Sequence, residues 1–75
     1  MRVLPVKLFT RNNCSACTGI KEALNRKGWP YTEVNIEEDH EAAWALIGRG
    51  FRTVPVLEAD GDLIAGDDLR DFVAA

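Results

Sequence analysis

The chain has 75 residues, of which 47% are hydrophobic and 28% are charged, and its formal net charge at pH 7 is −3. This size and composition are typical of one globular domain, which we expect to span residues 1–75 and to be a monomer. No apolar run approaches the roughly 20 residues of a membrane-spanning helix, the first residues do not resemble a signal peptide, and no basic run suggests nucleic-acid binding. We therefore expect a cytoplasmic protein that binds neither membranes nor nucleic acids.

Sequence periodicity predicts four strands and three helices. Apolar and β-branched residues predict strands over residues 3–10, 31–36, 54–58 and 63–65. Helical spacing predicts helices over residues 15–27, over residues 37–48, and after a cap at Asp67 or Asp68. Gly28 ends the first helix, because Trp29-Pro30 cannot continue it. The positions expected to be buried on the helices are Ala16, Ile20, Ala23, Leu24, Ala43, Leu46, Ile47, Leu69, Phe72 and Val73.

The connections between these elements predict the topology. The first two strands are joined by a helix, so they should be parallel with a right-handed crossover. Asp60-Gly61 is a strong hairpin signal, so the last two strands should be antiparallel. The order βαβαββα therefore predicts an α/β domain with a mixed four-stranded sheet and three helices.

The only two cysteines, Cys14 and Cys17, lie where the first strand gives way to the first helix, a setting typical of a redox pair. The free N–H groups and positive dipole of the helix start favour a thiolate at Cys14, and Arg11 is a nearby cation. We therefore expect the pKa of Cys14 to lie below its usual value of about 8.5. Cys17, one turn into the helix, should be more buried. We interpret Cys14 as the attacking thiol and Cys17 as the resolving thiol.

Pro55 stands between Val54 and Val56 in what otherwise looks like an internal strand. Proline has no N–H for a ladder hydrogen bond, so it is unusual at such a position. It fits if it begins the strand after a cis Val54–Pro55 bond, but only about 5% of X-Pro bonds in folded proteins are cis. These residues alone leave the isomer open.

Together these features resemble the glutaredoxin branch of the thioredoxin superfamily. A narrower resemblance, to the NrdH-type redoxins, covers about residues 2–57. It rests on Thr10-Arg11-Asn12-Asn13-Cys14-x-x-Cys17, on Ala42-Ala43, and on Gly50-Phe51-Arg52 leading into Pro55-Val56.

The resemblance implies a thioredoxin fold with a cis proline at Pro55 against the cysteine pair. It implies backbone groups at Thr53 and Val54 that bind a docked peptide or glutathione. Apart from the resemblance, Arg52 is a cation near Pro55 that could meet an acidic partner segment. The expected activity is dithiol–disulfide exchange without a bound cofactor. Thioredoxin reductase would be the electron donor and ribonucleotide reductase the acceptor.

The tail of the chain leaves the electron donor open. NrdH-type redoxins usually carry Trp-Ser-Gly-Phe-Arg-Pro before the last helix, whereas this chain has Ile64-Ala65-Gly66-Asp67-Asp68. Classical glutaredoxins hold the amino end of glutathione with Gly-Gly and an acid pair, which Gly66, Asp67 and Asp68 partly match. A glutathione-dependent glutaredoxin is therefore the alternative, in which Asp67 and Asp68 are glutathione ligands as well as helix caps.

The same cysteines could instead belong to a metal-binding or iron–sulfur module. A closed zinc site needs four ligands, and His40 is the only other strong candidate, so we expect no metal site within one chain. A cluster bridged between two monomers, with glutathione completing the ligation, is a further alternative.

Overall fold

The computed structural model describes residues 6–74. Four strands and three helices follow one another in the predicted order βαβαββα. The elements are β1 (Val6–Thr10), α1 (Ser15–Lys27), β2 (Tyr31–Asn35), α2 (His40–Gly48), β3 (Val56–Ala59), β4 (Asp62–Ala65) and α3 (Gly66–Ala74). Residues 3–5, which the sequence analysis assigned to the first strand, lie outside the described residues.

The four strands form one mixed sheet in the order β2-β1-β3-β4. β1 pairs with β2 in parallel, with Leu8 opposite Glu33, and pairs with β3 antiparallel, with Phe9 opposite Val56. The β3–β4 hairpin turns at Asp60-Gly61, where both residues have positive φ. The predicted mixed sheet is confirmed, and the arrangement is that of a thioredoxin fold.

Two apolar clusters cover the two faces of this sheet, because successive side chains of a strand point to opposite faces. Leu8 and Leu57 pack with α1 and α3, whereas Phe9 and Val56 pack with Leu46 of α2. The buried members of the α1–α3 cluster are Val6, Leu8, Ile20, Ala23, Leu24, Leu57, Leu69 and Val73. The alternation along β1 and β3 therefore fixes which helices lie on which side.

Side-chain and backbone caps set the helix boundaries. Cys14 is the N-cap of α1, and Gly28 ends that helix in the left-handed conformation, with φ of 70°, as glycine commonly does. The sequence predicted that the second helix begins at residue 37, but it begins at His40. Asn35 accounts for the difference, because its carbonyl accepts from the N–H groups of Glu38 and Asp39 and closes a turn over these residues. Asp39 then caps α2 by accepting from the N–H of Ala42.

Other boundaries also differ from the prediction, and β3 and β4 each extend one residue further towards their shared turn, to Ala59 and Asp62. β2 ends at Asn35, and β3 begins at Val56 because Pro55 has no N–H to donate to β1. The last helix begins at Gly66, so Asp67 and Asp68 lie within its first turn and not at its cap. Carboxylates are favoured there by the helix dipole.

The helices also bury fewer residues than the sequence predicted. Ala16 is exposed because Cys17 takes the inward position at the start of α1, and Ile47 of α2 is 45% exposed. Phe72 stays at the surface, where its ring packs against that of Trp29 at a centroid distance of 5.5 Å. Within residues 6–74, no helix is both long and apolar enough to cross a membrane.

Candidate active site

Cys14 and Cys17 form a disulfide at the start of α1, with their Cα atoms 5.3 Å apart. The two sulfurs differ in accessibility, since Cys14 is half-buried and Cys17 is 2% exposed. The N–H of Cys17 donates to Sγ of Cys14 at 3.1 Å, as expected for a side chain that caps the helix. An incoming group can therefore approach Cys14 more readily than Cys17.

A polar cavity of about 600 Å³ opens beside this disulfide, and we call it the redox cavity. It lies between the loop before α1, the first turns of α1 and the edge strand β2. Its lining residues are Arg11, Asn12, Asn13, Cys14, Ser15, Cys17, Thr18, Lys21, Glu33 and Asn35. Apart from the disulfide it offers mainly amide, hydroxyl and charged groups.

A hydrogen-bond network holds the loop that carries Cys14. Asn12 donates to Glu37 at 2.7 Å and accepts from the side-chain amide of Asn35 at 2.9 Å. The oxygen of that Asn35 amide accepts from the backbone N–H of Glu37 at 2.8 Å, which closes the network. Asn13 has a φ of 55°, a left-handed conformation that asparagine tolerates better than most residues. The network ties the loop to the turn that follows β2.

A second network joins β1, α1 and β2 at the redox cavity. The hydroxyl of Thr10, which is 1% exposed, donates to Oε2 of Glu33 at 2.8 Å, and Nζ of Lys21 lies 3.2 Å from the same oxygen. The Thr10 hydrogen bond is the largest influence on Glu33, and together with Lys21 it holds the pKa of this carboxyl below its ordinary value of 4.5. Partial desolvation works in the opposite direction.

Replacing Thr10 by valine is expected to raise the pKa of Glu33 towards 4.5, because the main hydrogen bond to its ionised form is lost. NMR titration of the Glu33 carboxyl measures this directly. A carboxyl whose pKa is lowered by folding stabilises the protein above its unfolded pKa, and this contribution is lost as the pH falls through the folded value. The variant should therefore be less stable than the original at neutral pH, and the difference should shrink in acid. If the pKa of Glu33 is unchanged in the variant, the Thr10 hydrogen bond is not the main cause of its lowered value.

A second cavity is an apolar groove between α1 and α3, which Pro55 lines. The Val54–Pro55 bond is cis, as the family resemblance implies. The groove has a volume of about 500 Å³ and is open at Gly66, where an added Cβ would meet no atom within 4 Å. Its lining residues are Ala16, Gly19, Ile20, Ala23, Arg26, Pro55, Gly66, Leu69, Arg70, Val73 and Ala74.

The structure does not bring the predicted site residues together in one place. Arg11 lines the redox cavity with the cysteines, and its guanidinium donates to the carbonyl of Asn12 at 3.4 Å. Pro55 and Gly66 line the apolar groove, and Val54 packs beside Phe9 in the cluster under α2. The remaining four line neither cavity and are exposed: Arg52, Thr53, Asp67 and Asp68. Among these, Asp67 forms an ion pair with Arg70.

Four residues around the cysteines were not predicted as site residues from the sequence: Thr10, Lys21, Glu33 and Asn35. Their positions depend on strand pairing, since the Thr10–Glu33 hydrogen bond joins residues 23 positions apart. Lys21 carried one local signal, because it lies four residues after Cys17 and so on the same side of the helix. Among the described residues, no group of three or more His, Cys, Asp and Glu could hold a metal ion.

A thioredoxin fold with a Cys-x-x-Cys disulfide at the first helix and a cis proline before β3 defines a thiol–disulfide oxidoreductase. Comparison with known proteins refines this class. The glutaredoxin family model matches residues 6–64. The chain belongs to the glutaredoxin family, and within it the chain is similar to the NrdH redoxins.

One sequence relative and one solved structure carry the NrdH similarity, and a second solved structure shows the wider family. The glutaredoxin-like protein NrdH of Escherichia coli (strain K12) is 40% identical over 58 residues, which cover 77% of this chain and 70% of that protein. The structure of the Escherichia coli NrdH-redoxin, described as having a thioredoxin-like activity profile, superposes with a TM-score of 0.85. It is 31% identical over 95% of this chain and 92% of its own. A buckwheat glutaredoxin in complex with glutathione gives a TM-score of 0.74, at 26% identity over 93% and 72% of the two chains.

Proposed function

We propose that this protein reduces disulfide bonds in partner proteins, with Cys14 as the attacking thiol and Cys17 as the resolving thiol. The observation that carries the proposal is the unequal accessibility of the two sulfurs in one disulfide-bonded pair, half-buried at Cys14 and 2% exposed at Cys17. Only a sulfur that a partner can reach is able to form the mixed disulfide.

In the first step, the Cys14 thiolate attacks one sulfur of the partner disulfide. A Cys14–partner disulfide forms, and the other partner sulfur leaves as a thiolate that takes up a proton. The N–H of Cys17, directed at Sγ of Cys14, and the positive end of the α1 dipole both favour the thiolate. Arg11, which lines the same cavity, would add a further positive charge.

In the second step, Cys17 loses its proton and attacks Sγ of Cys14. The Cys14–Cys17 disulfide forms, the bond to the partner breaks, and the second partner sulfur leaves as a thiolate and is protonated. The partner has gained two electrons and two protons, and this protein is oxidised. The exchange uses only the two thiols, so we propose that no bound cofactor takes part.

The similarity to NrdH redoxins supports thioredoxin reductase as the electron donor and ribonucleotide reductase as the acceptor. The apolar groove beside Pro55 supports a protein partner, because apolar surface is suited to burial against another protein. In this proposal Thr53, Val54 and Pro55 bind the partner segment that carries the disulfide, and the exposed Arg52 meets acidic side chains next to it. A thiol pair that must be reduced after every cycle also fits the reducing conditions of the cytoplasm.

Glutathione is the second candidate donor, and two observations favour it. The fold superposes on a glutaredoxin that was solved with glutathione bound. Gly66 lines the same groove as Pro55, and Asp67 and Asp68 follow it, exposed in the first turn of α3, where two carboxylates could bind an amino group. In this version Cys14 alone could react with glutathionylated proteins.

A coupled assay separates the two donors. The oxidised protein is supplied with NADPH and thioredoxin reductase, or in parallel with NADPH, glutathione and glutathione reductase, and NADPH loss is followed. We expect turnover with thioredoxin reductase and little with glutathione. Turnover only with glutathione would reject the proposed donor and assign function to Asp67 and Asp68. The Asp67→Asn, Asp68→Asn variant is the matched control, since it should change the second reaction only.

A further inference from the structure

The redox cavity contains a pair of opposite charges that the proposed reaction does not use. Three charged residues line this cavity: Arg11 from the loop, Lys21 from α1 and Glu33 from β2. Arg11 is directed to the carbonyl of Asn12, whereas Lys21 and Glu33 are paired with each other at 3.2 Å. The cavity that exposes the disulfide therefore also exposes a carboxylate and an ammonium group.

The carboxylate of Glu33 is held in place from two directions. Glu33 stands opposite Leu8 in the parallel β1–β2 pair, on the face of the sheet that α1 covers. Its Oε2 accepts from the buried Thr10 hydroxyl at 2.8 Å, and Thr10 is the last residue of β1, four positions before Cys14. The buried hydroxyl anchors the negative charge to the strand that leads into the redox loop.

The ammonium group of Lys21 is held on the same side of α1 as the resolving cysteine. Residues four apart on a helix lie above one another, so Lys21 follows Cys17 along one face. The side chain of Lys21 is only partly exposed, and its Nζ atom contacts the carboxylate of Glu33. The two charges thus sit together beside the sulfurs.

We propose that Glu33 and Lys21 are an opposed charge pair that sets how readily Cys14 forms a thiolate. The ammonium of Lys21 favours the thiolate and the carboxylate of Glu33 opposes it, so the balance of the two charges sets the stability of the thiolate. This inference rests on the proposed function in one respect, namely that the Cys14 thiolate is the attacking group. Both residues act on Cys14 through the field in the cavity, without touching the partner protein.

The charge pair would also affect how strongly the dithiol reduces a partner disulfide. A thiolate that is less stable makes the dithiol state less stable relative to the disulfide, and so makes the protein a stronger reductant. Removing the carboxylate should have the opposite effect. Two residues outside the Cys-x-x-Cys motif would then help to set the redox equilibrium of the pair.

The pH dependence of alkylation by iodoacetamide tests the proposal, because only the thiolate reacts. Glu33→Gln keeps an oxygen that can accept from Thr10 but removes the charge, so the midpoint of the profile should fall by about half a pH unit. Lys21→Gln leaves the carboxylate without its counter-charge, so the midpoint should rise by about the same amount. Midpoints that shift in opposite directions indicate an effect of charge, because a general loosening of the site would shift the midpoints of both variants in the same direction.

Glu58→Gln is the matched control, since it removes a carboxylate from another partly exposed ion pair, with Lys7, that lines a different cavity. It should leave the midpoint unchanged. Midpoints that move in the same direction in the two test variants, or that match the control, would overturn the charge-pair proposal. Peptide mapping of the alkylated residue distinguishes a failure of the charge-pair proposal from a failure of the proposed function. Modification of Cys17 in place of Cys14 would reject Cys14 as the attacking thiol.

Discussion

Replacing Cys17 by serine is expected to stop the reaction at the mixed disulfide. In this variant Cys14 still attacks, but no second thiol is present to release the partner. With an aromatic disulfide that releases a coloured thiolate, the reduced original protein should release two equivalents and end as the Cys14–Cys17 disulfide. The Cys17→Ser variant should release one equivalent and retain the other aromatic group, which mass spectrometry detects on Cys14.

Cys14→Ser is the matched control for this experiment. It keeps Cys17, whose sulfur is 2% exposed, and a hydroxyl is a much weaker nucleophile than a thiolate. We expect protein disulfide reduction to fall to the background rate and the aromatic disulfide to release little colour. Fast release from this variant, or no trapped adduct in Cys17→Ser, would reverse or reject the roles of the two cysteines.

Replacing Leu24 by alanine is expected to cause a large loss of stability. Leu24 is 0% exposed and packs with Leu8 and Leu57 in the cluster between the sheet and the α1–α3 layer. Truncation of a buried leucine costs about 2–5 kcal/mol, which is a large part of the stability of a domain this small. Urea unfolding of the oxidised form should show a lower midpoint with an unchanged slope.

Ile47→Ala is the control for the core variant. Ile47 is also an aliphatic helix residue, but it is 45% exposed on α2, so its truncation removes little buried surface. We expect a loss of less than about 1 kcal/mol. Similar losses in the two variants would contradict the packing described for Leu24.

Several features were predicted because they depend on residues close together in the chain. The order of elements followed from local periodicity, and the position of the cysteine pair at the start of α1 followed from its place between a strand and a helical pattern. The greater burial of Cys17 followed from its position one turn into the helix. The end of α1 followed from Gly28, which needs no tertiary contact to adopt a left-handed conformation.

Other features were beyond the sequence because they depend on distant residues. The start of α2 was predicted too early, since the turn that delays it closes on Asn35 of the preceding strand. The rotation of α2 about its axis was also predicted only in part. Leu46 is buried as expected, but Ile47, which is 45% exposed, faces outward because only a narrow side of the helix meets the sheet.

The sequence by itself determined the class of chemistry. Two cysteines at a strand-to-helix junction are sufficient to indicate thiol–disulfide exchange, because their spacing and the field of the helix are local properties. The tertiary structure alone decided which other groups surround the sulfurs. Thr10 and Glu33 meet only because β1 and β2 pair in parallel, and Lys21 joins them only because α1 lies over that edge of the sheet.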